Sequence, residues 1–433
     1  MKPLFLNIAL LLGLLGGAKN TAFLSGPNVV EFRNARVESN YPDGITFRIE
    51  ICGRSATSKP VFNYVVSGER SKSLSWTRKV VTVDEGDTTD GCEKRKYHLE
   101  TKELYVPPFS PVRYFWSVRE GSTVKEKSEQ YTYFYRDAAH DWKTLQNPNL
   151  AIWWHDRPGS FGEDVMRVAT IAYKEQATSY STSLQAPIVI VITNTREEFF
   201  AWQEHDSYAG GMAFPEMYLT IQLVESDSYY YTWLADVIPH EISHIYFNHA
   251  VKSYSGASYW LDEGMATYHE YSDHFDEWNA VRDGYDGDHI LSLRDLEYGF
   301  KGEGKDIDLA YGESYYAVLY MDEVYGKDAI PALLAEYSKG TGGDTAFKTA
   351  FGKNRKEFES EFMVWLEKRV ETPPPNTTLP SYESNNASGL FLVVMAGLCL
   401  SPLCFVAFGA GYIAFLWKLN NWLSVRRKNT AVP

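Results

Sequence analysis

The segment that decides the fold is His240-Glu241-Ile242-Ser243-His244, and a second diagnostic run follows it, Trp260-Leu261-Asp262-Glu263-Gly264-Met265-Ala266-Thr267-Tyr268-His269-Glu270. On an α-helix, positions i and i+4 lie on the same side, so His240 and His244 can bind one zinc ion. Glu241 is next to the first histidine and can act as a general base on a water molecule at the metal. The pattern therefore predicts a catalytic zinc site on a helix.

The second run supplies the remaining ligand. Catalytic zinc takes three protein ligands and keeps one position open for water. Glu263 follows His244 with 18 residues between them, which suits a helix, a short connection and a second helix that faces the first. Glu270 lies nearly two helical turns beyond Glu263, on the same face. We expect Glu263 to be the third ligand of one zinc ion per chain, and Glu270 to orient a ligand imidazole through a hydrogen bond.

The combination of both histidines with Glu263-Gly264-x-Ala266-x-Tyr268-x-Glu270 resembles the gluzincin zinc metallopeptidases, of the aminopeptidase N type and the related peptidase MA-like domains. The resemblance covers residues 186–367. It implies a thermolysin-like α+β catalytic domain and a peptide or protein substrate. In aminopeptidase-like members, a tyrosine at the place of Tyr311 stabilises the oxyanion, and the resemblance assigns this role to Tyr311.

The same resemblance implies a substrate-binding edge strand. Gly210, Gly211 and Met212 look like the loop that precedes this strand in the family, and the run from Tyr218 to Val224 looks like the strand itself. We therefore expect the substrate to add as a further strand along Tyr218 to Val224.

One departure from the family bears on specificity. In aminopeptidases the Gly-Gly-Met stretch continues with a glutamate that binds the free amine of the substrate, whereas Ala213 and Phe214 follow here. The departure favours an endopeptidase over an aminopeptidase. The alternative function is a cell-surface binding or adhesion protein whose metallopeptidase domain is catalytically silent.

The chain is predicted to be multidomain. Residues 23–137 contain runs that alternate with period two, such as Ile45 to Ile51, and turn signals such as Pro42-Asp43-Gly44. They predict an all-β antiparallel sandwich resembling immunoglobulin or fibronectin type III domains. The sequence does not indicate which protein partner this sandwich binds. Residues 140–371 contain mixed strands followed by helices, which indicates the α+β metallopeptidase domain.

The two ends of the chain predict export and membrane anchoring. Residues 1–18 have the basic start, short apolar run and small final residues of a secretory signal peptide. Leu390 to Trp417, within a predicted transmembrane helix at 389–417, is 28 residues without a charge, more than the roughly 20 that span a bilayer. The basic tail at 418–433 then predicts a cytoplasmic C terminus and an extracellular N-terminal portion.

Two further features fit an extracellular location. Residues 372–388 are rich in Pro, Asn and Ser and predict a stalk, in which Asn376 and Asn386 match the N-glycosylation pattern. Cys52 and Cys92 are the two cysteines outside the predicted span, and an oxidising compartment predicts a disulfide bond between them.

The overall charge argues against one class of partner. The formal net charge is −14, and no stripe of Lys and Arg is present. Nucleic acid is therefore not an expected partner. The predicted partners are a peptide or protein substrate and the cell membrane, which the chain crosses once.

Overall fold

The computed structural model describes residues 29–66, 77–80, 82–89, 91–202, 209–225, 230–252 and 256–375. The predicted signal peptide (1–18), membrane span (389–417), cytoplasmic tail (418–433) and both asparagines of the stalk lie outside the described residues. Within the described ranges, no helix is long and apolar enough to cross a membrane.

The N-terminal part forms two antiparallel sheets. Their strands are β1 (Glu31–Asn40), β2 (Gly44–Cys52), β3 (Lys59–Val66), β4 (Thr77–Val80), β5 (Thr82–Thr89), β6 (Cys92–Glu100), β7 (Pro111–Glu120), β8 (Thr123–Lys127) and β9 (Tyr131–Phe134). One sheet has the order β1-β2-β6-β5 and the other β4-β3-β7-β8, with β9 also paired to β7. The first order corresponds to that of one sheet in immunoglobulin-type sandwiches.

An aromatic core joins the two sheets. Phe47 of β2 lies 4.8 Å from Phe62 of β3 between ring centroids, and Phe62 lies 4.8 Å from Trp116 of β7. Cys52 and Cys92 are directly opposite each other in the β2–β6 pairing and form a disulfide bond. The disulfide therefore links neighbouring strands of one sheet, and the two sheets are held together by apolar packing.

The α+β part begins with a mixed sheet of order β10-β11-β12-β14-β13. Its strands are β10 (Lys143–Gln146), β11 (Leu150–Trp154), β12 (Ile188–Thr193), β13 (Gly211–Phe214) and β14 (Leu219–Leu223). The three middle strands are parallel, and β10 and β13 are antiparallel to their neighbours. The helices are α1 (Gly159–Ser179), α2 (Arg196–Phe200), α3 (Tyr230–Ala250), α4 (Tyr259–Tyr268), α5 (Phe275–Asp286), α6 (Lys305–Tyr320), α7 (Ala329–Tyr337), α8 (Gly343–Phe351) and α9 (Arg355–Arg369).

The prediction that Tyr218 to Val224 forms the edge strand is wrong. The run from Tyr218 to Val224 becomes β14, which pairs with β12 on one side and with β13 on the other, so both of its edges are occupied. The edge strand is instead β13, which contains Gly211 and Met212 and directly follows Gly210. Leu219 and Ile221 are buried against a second layer of side chains, as a central strand requires.

Both faces of this sheet are covered. Ile190 faces the layer formed by α1 and α3, whereas Val191 faces a smaller cluster that includes Phe199 and Trp202. Phe109 belongs to the segment before β7, and it packs into the smaller cluster. The N-terminal sandwich therefore contacts one face of the mixed sheet through Phe109, and the opposite face packs against α1 and α3.

The helices around the motif pack closely. Helix α3 packs against α4, and α4 packs against α6. A Cβ atom on Gly264 of α4 would overlap the backbone carbonyl of Ser314 in α6. The glycine after Glu263 therefore permits the contact that holds α4 and α6 together.

Candidate active site

The predicted metal ligands converge at the contact between α3 and α4. His240 and His244 are one turn apart on α3, and Glu263 reaches them from α4. Glu263 Oε2 lies 3.5 Å from His240 Nε2 and 3.7 Å from His244 Nε2. The structure thus brings together two imidazole nitrogens and one carboxylate oxygen, the ligand set of many catalytic zinc sites.

The other nitrogen of each imidazole faces a carboxylate. His240 Nδ1 donates a hydrogen bond to Glu270 Oε1 at 2.7 Å, and His244 Nδ1 donates one to Asp262 Oδ1 at 2.8 Å. These bonds leave both Nε2 atoms available as metal ligands. Glu270 lies where the sequence predicts it. Asp262 was missed, although its position directly before Glu263 is a signal that could have identified it.

The electrostatics of the triad fit a divalent cation. Burial acts to raise the pKa of Glu263, but His244 and His240 outweigh it and lower this pKa to about 2, so the carboxylate is ionised. Glu263 Oε2 is buried and accepts no hydrogen bond from the described residues. A zinc ion bound by His240, His244 and Glu263 would satisfy this oxygen and replace the protons that the two imidazoles otherwise hold.

Glu241 is placed beside the ligands as a base. Its side chain is 5% exposed, and Oε2 has no hydrogen-bond partner in the described part of the chain. Burial raises the pKa of Glu241, while His244 and His240 lower it. A Cβ atom on Gly211 would collide with this carboxylate, so glycine in β13 makes room for the base.

A known protein family matches the part of the chain that contains this site. Residues 168–368, which include all three ligands and Glu241, match the family model described as Peptidase MA superfamily. This part of the chain is similar to the Peptidase MA superfamily. It is a zinc-dependent hydrolase of the metallopeptidase class, as the resemblance to gluzincins predicts.

Three solved structures are similar to this peptidase. An M1 zinc metallopeptidase from Deinococcus radiodurans has 16% identity and a TM-score of 0.35, over 78% of this chain and 92% of that chain. A two-domain M1 zinc metallopeptidase bound to L-arginine has 15% identity and a TM-score of 0.36, over 81% and 95%. An aminopeptidase N family protein from Idiomarina loihiensis has 10% identity and a TM-score of 0.32, over 84% and 75%. No curated protein matches the chain.

Tyr311 of the peptidase lies close to the ligands. It lines the same cavity as His240 and Glu241, and its ring centroid is 6.2 Å from that of His240. Phe300 packs edge-on against it at 4.9 Å. Burial and the nearby carboxylates, Glu263 foremost, raise the pKa of Tyr311, so its hydroxyl stays protonated and can donate a hydrogen bond.

Pro239 lies inside α3 and changes the hydrogen bonding of the helix. Helix α3 continues through it, but proline lacks the N–H that would bond the carbonyl of Ala235. That carbonyl accepts a hydrogen bond from the N–H of Tyr271 at 3.2 Å. Tyr271 directly follows Glu270. The carbonyl of Ala235, which Pro239 leaves free, therefore holds in place the segment whose Glu270 orients His240.

Proposed function

We propose that the protein hydrolyses internal peptide bonds, with one zinc ion per chain held by His240, His244 and Glu263. The observation that carries the proposal is the convergence of these three ligands beside the buried carboxylate of Glu241, whose Oε2 has no hydrogen-bond partner in the described part of the chain. Zinc in such a site acts as a Lewis acid and lowers the pKa of water toward ~7.

The proposed mechanism assigns two proton transfers to one residue. Glu241 takes a proton from the attacking water and later gives it to the leaving amine of the cleaved bond. Burial of its carboxylate directly beside the first ligand histidine suits a group that exchanges protons with the reacting atoms. Tyr311 donates its hydroxyl proton in a hydrogen bond to the oxyanion that develops on the carbonyl oxygen.

The substrate is proposed to lie along β13. This strand ends the sheet and contains Gly211, whose missing side chain brings the backbone close to Glu241. Main-chain hydrogen bonds to an edge strand bind an extended peptide without selecting its sequence. Ala213 of β13 stands where aminopeptidases are expected to have an acidic residue, which supports cleavage within a peptide over removal of its first residue.

We also propose that the catalytic domain faces the outside of the cell on a single-pass membrane anchor. The disulfide between Cys52 and Cys92 supports an oxidising compartment. The anchor rests on the uncharged sequence from Leu390 to Trp417. In cell fractionation, the full chain should sediment with membranes, and a chain ending at residue 375 should appear in the soluble exported fraction. Equal sedimentation of both would contradict the anchor.

The enzymatic proposal is tested with wild type beside Glu241→Gln. Both proteins should bind zinc to about one equivalent, since Glu241 is not a ligand. A mixed peptide library with free and acetylated N termini should be cleaved by the wild type only, at internal bonds, and mass spectrometry would identify the cut sites. Zinc binding without cleavage by the wild type would contradict hydrolysis, and cleavage restricted to free N termini would contradict the endopeptidase assignment.

A further inference from the structure

A cavity of about 880 Å³ extends from the catalytic centre toward α5 and the start of α6. His240, Glu241 and Tyr311 line it at one end, together with Gly211 of the edge strand. Glu241 Oε2 is buried and has no hydrogen-bond partner among the residues that the structure describes. A cavity of this size that contains the general base is where side chains next to the cleaved bond are expected to bind.

The lining of this cavity is strongly acidic. It includes carboxylates from four separate segments, namely Asp236, Glu270, Asp273, Glu277, Asp306 and Asp308. Among the lining residues that the structure describes, Lys305 is the one lysine or arginine. Carboxylates of one sign around a partly enclosed space concentrate a negative potential that attracts cations.

The acids nearest the catalytic centre are only partly compensated by neighbouring groups. Asp236 Oδ1 is buried and accepts no hydrogen bond from any described residue. Burial, and next the charge of Glu270, raise the pKa of Asp236 to about 7, and Glu277 adds to the effect. Glu277 Oε2 has His274 Nδ1 at 3.5 Å as an ion-pair partner. Acids in the first turn of α5, such as Glu277, also stabilise that helix by interacting with its dipole. This role does not explain Asp236 or Glu270, because neither belongs to α5.

We infer that this acidic cavity binds a cationic group of the substrate, the side chain of a lysine or arginine near the cleaved bond. The inference deepens the proposed function and rests on it. A free peptide N terminus carries the same ammonium chemistry, so the experiment must distinguish these two sources. A positive group would satisfy the crowded carboxylates with charge-assisted hydrogen bonds, which a neutral side chain cannot do.

The test uses peptides that differ in one side chain. Arginine is compared with citrulline, and lysine with acetyl-lysine, each peptide with a free and with an acetylated N terminus. We expect kcat/KM to be roughly tenfold or more higher for the cationic member of each pair, as for one charge-assisted contact. The ratio should persist after N-terminal acetylation and should fall at high salt.

Two variants locate the effect. Glu277→Gln and Asp308→Asn should each lower the arginine-to-citrulline ratio, and Glu371→Gln, exposed and outside the cavity lining, should leave it unchanged. A ratio near one in the wild type, or a ratio that neither cavity variant alters, would overturn the inference. Dependence on a free N terminus alone would overturn the side-chain source and assign the cavity to the terminal ammonium.

A binding measurement separates this inference from the proposed hydrolysis. The zinc-loaded Glu241→Gln protein should bind the acetylated arginine peptide roughly tenfold more tightly than the citrulline peptide in calorimetry, for the same electrostatic reason. Equal affinities would overturn the cationic preference even if peptides are cleaved. A clear difference in affinity without cleavage by the wild type would support the cavity and refute the enzyme.

Discussion

Replacing Glu270 with glutamine should weaken zinc binding without removing a ligand. His240 Nδ1 donates to Glu270 Oε1 at 2.7 Å, and the Glu270 side chain is only 17% exposed. Glutamine preserves the shape and an acceptor oxygen but loses the negative charge that makes the imidazole a stronger ligand. We expect zinc affinity to fall about 10- to 100-fold, or about 1.4–2.7 kcal/mol.

Asp262→Asn provides a graded comparison on the second histidine. His244 Nδ1 donates to Asp262 Oδ1 at 2.8 Å, but this carboxylate is 31% exposed. Water screens the more exposed charge, so its removal should cost less, near the lower end of about tenfold. The structure thus predicts an order of effects as well as their size.

The assay is competition for zinc between each protein and a chromophoric chelator at constant pH. Circular dichroism checks that the variants remain folded, and Glu371→Gln serves as an exposed control of the same chemical change. Unchanged zinc affinity in Glu270→Gln would refute the orienting role. A larger loss in Asp262→Asn than in Glu270→Gln would refute the argument from exposure.

Three further predictions follow from local contacts. Gly211→Ala would push a methyl group against the Glu241 carboxylate, and kcat should fall at least about tenfold while zinc content stays constant. Burial raises the pKa of Glu313 from 4.5 to about 8, so the free energy of unfolding should decrease as pH rises through this interval, by up to about 5 kcal/mol. Glu313→Gln should remove this dependence in urea titrations at several pH values, and an unchanged pH profile would contradict it. Replacing Cys52 and Cys92 with alanine opens a link between residues 40 positions apart and should lower the free energy of unfolding by about 4 kcal/mol in urea denaturation; a loss below about 1 kcal/mol would contradict the chain-entropy estimate.

The metal site could be predicted from the sequence because its geometry is mostly local. His240 and His244 share a face whenever their segment is helical, and Glu241 then lies beside them. Glu263 and Glu270 are related by the same periodicity on the next segment. The disulfide between Cys52 and Cys92 could also be predicted, since these are the two cysteines outside the predicted span and no other pairing was open there.

The edge strand could not be predicted, because strand order depends on contacts between distant segments. An apolar run such as Leu219 to Leu223 indicates a strand, but the run does not say which neighbours will pair with it. Here β12 and β13 occupy both of its sides. The short sequence Gly211 to Phe214 has a weak strand signal of its own and becomes the edge through pairing with β14.

The sequence by itself determined the chemistry of this protein, a histidine and glutamate ligand set with an adjacent base, because helical spacing places those groups together. Only the tertiary structure decided what surrounds them. The contact of α3 with α4 brings Asp262 to His244, and the segments around α5 and α6 bring their carboxylates to one cavity. These are contacts between residues far apart in the chain, so their free energy and geometry depend on packing that no local pattern encodes.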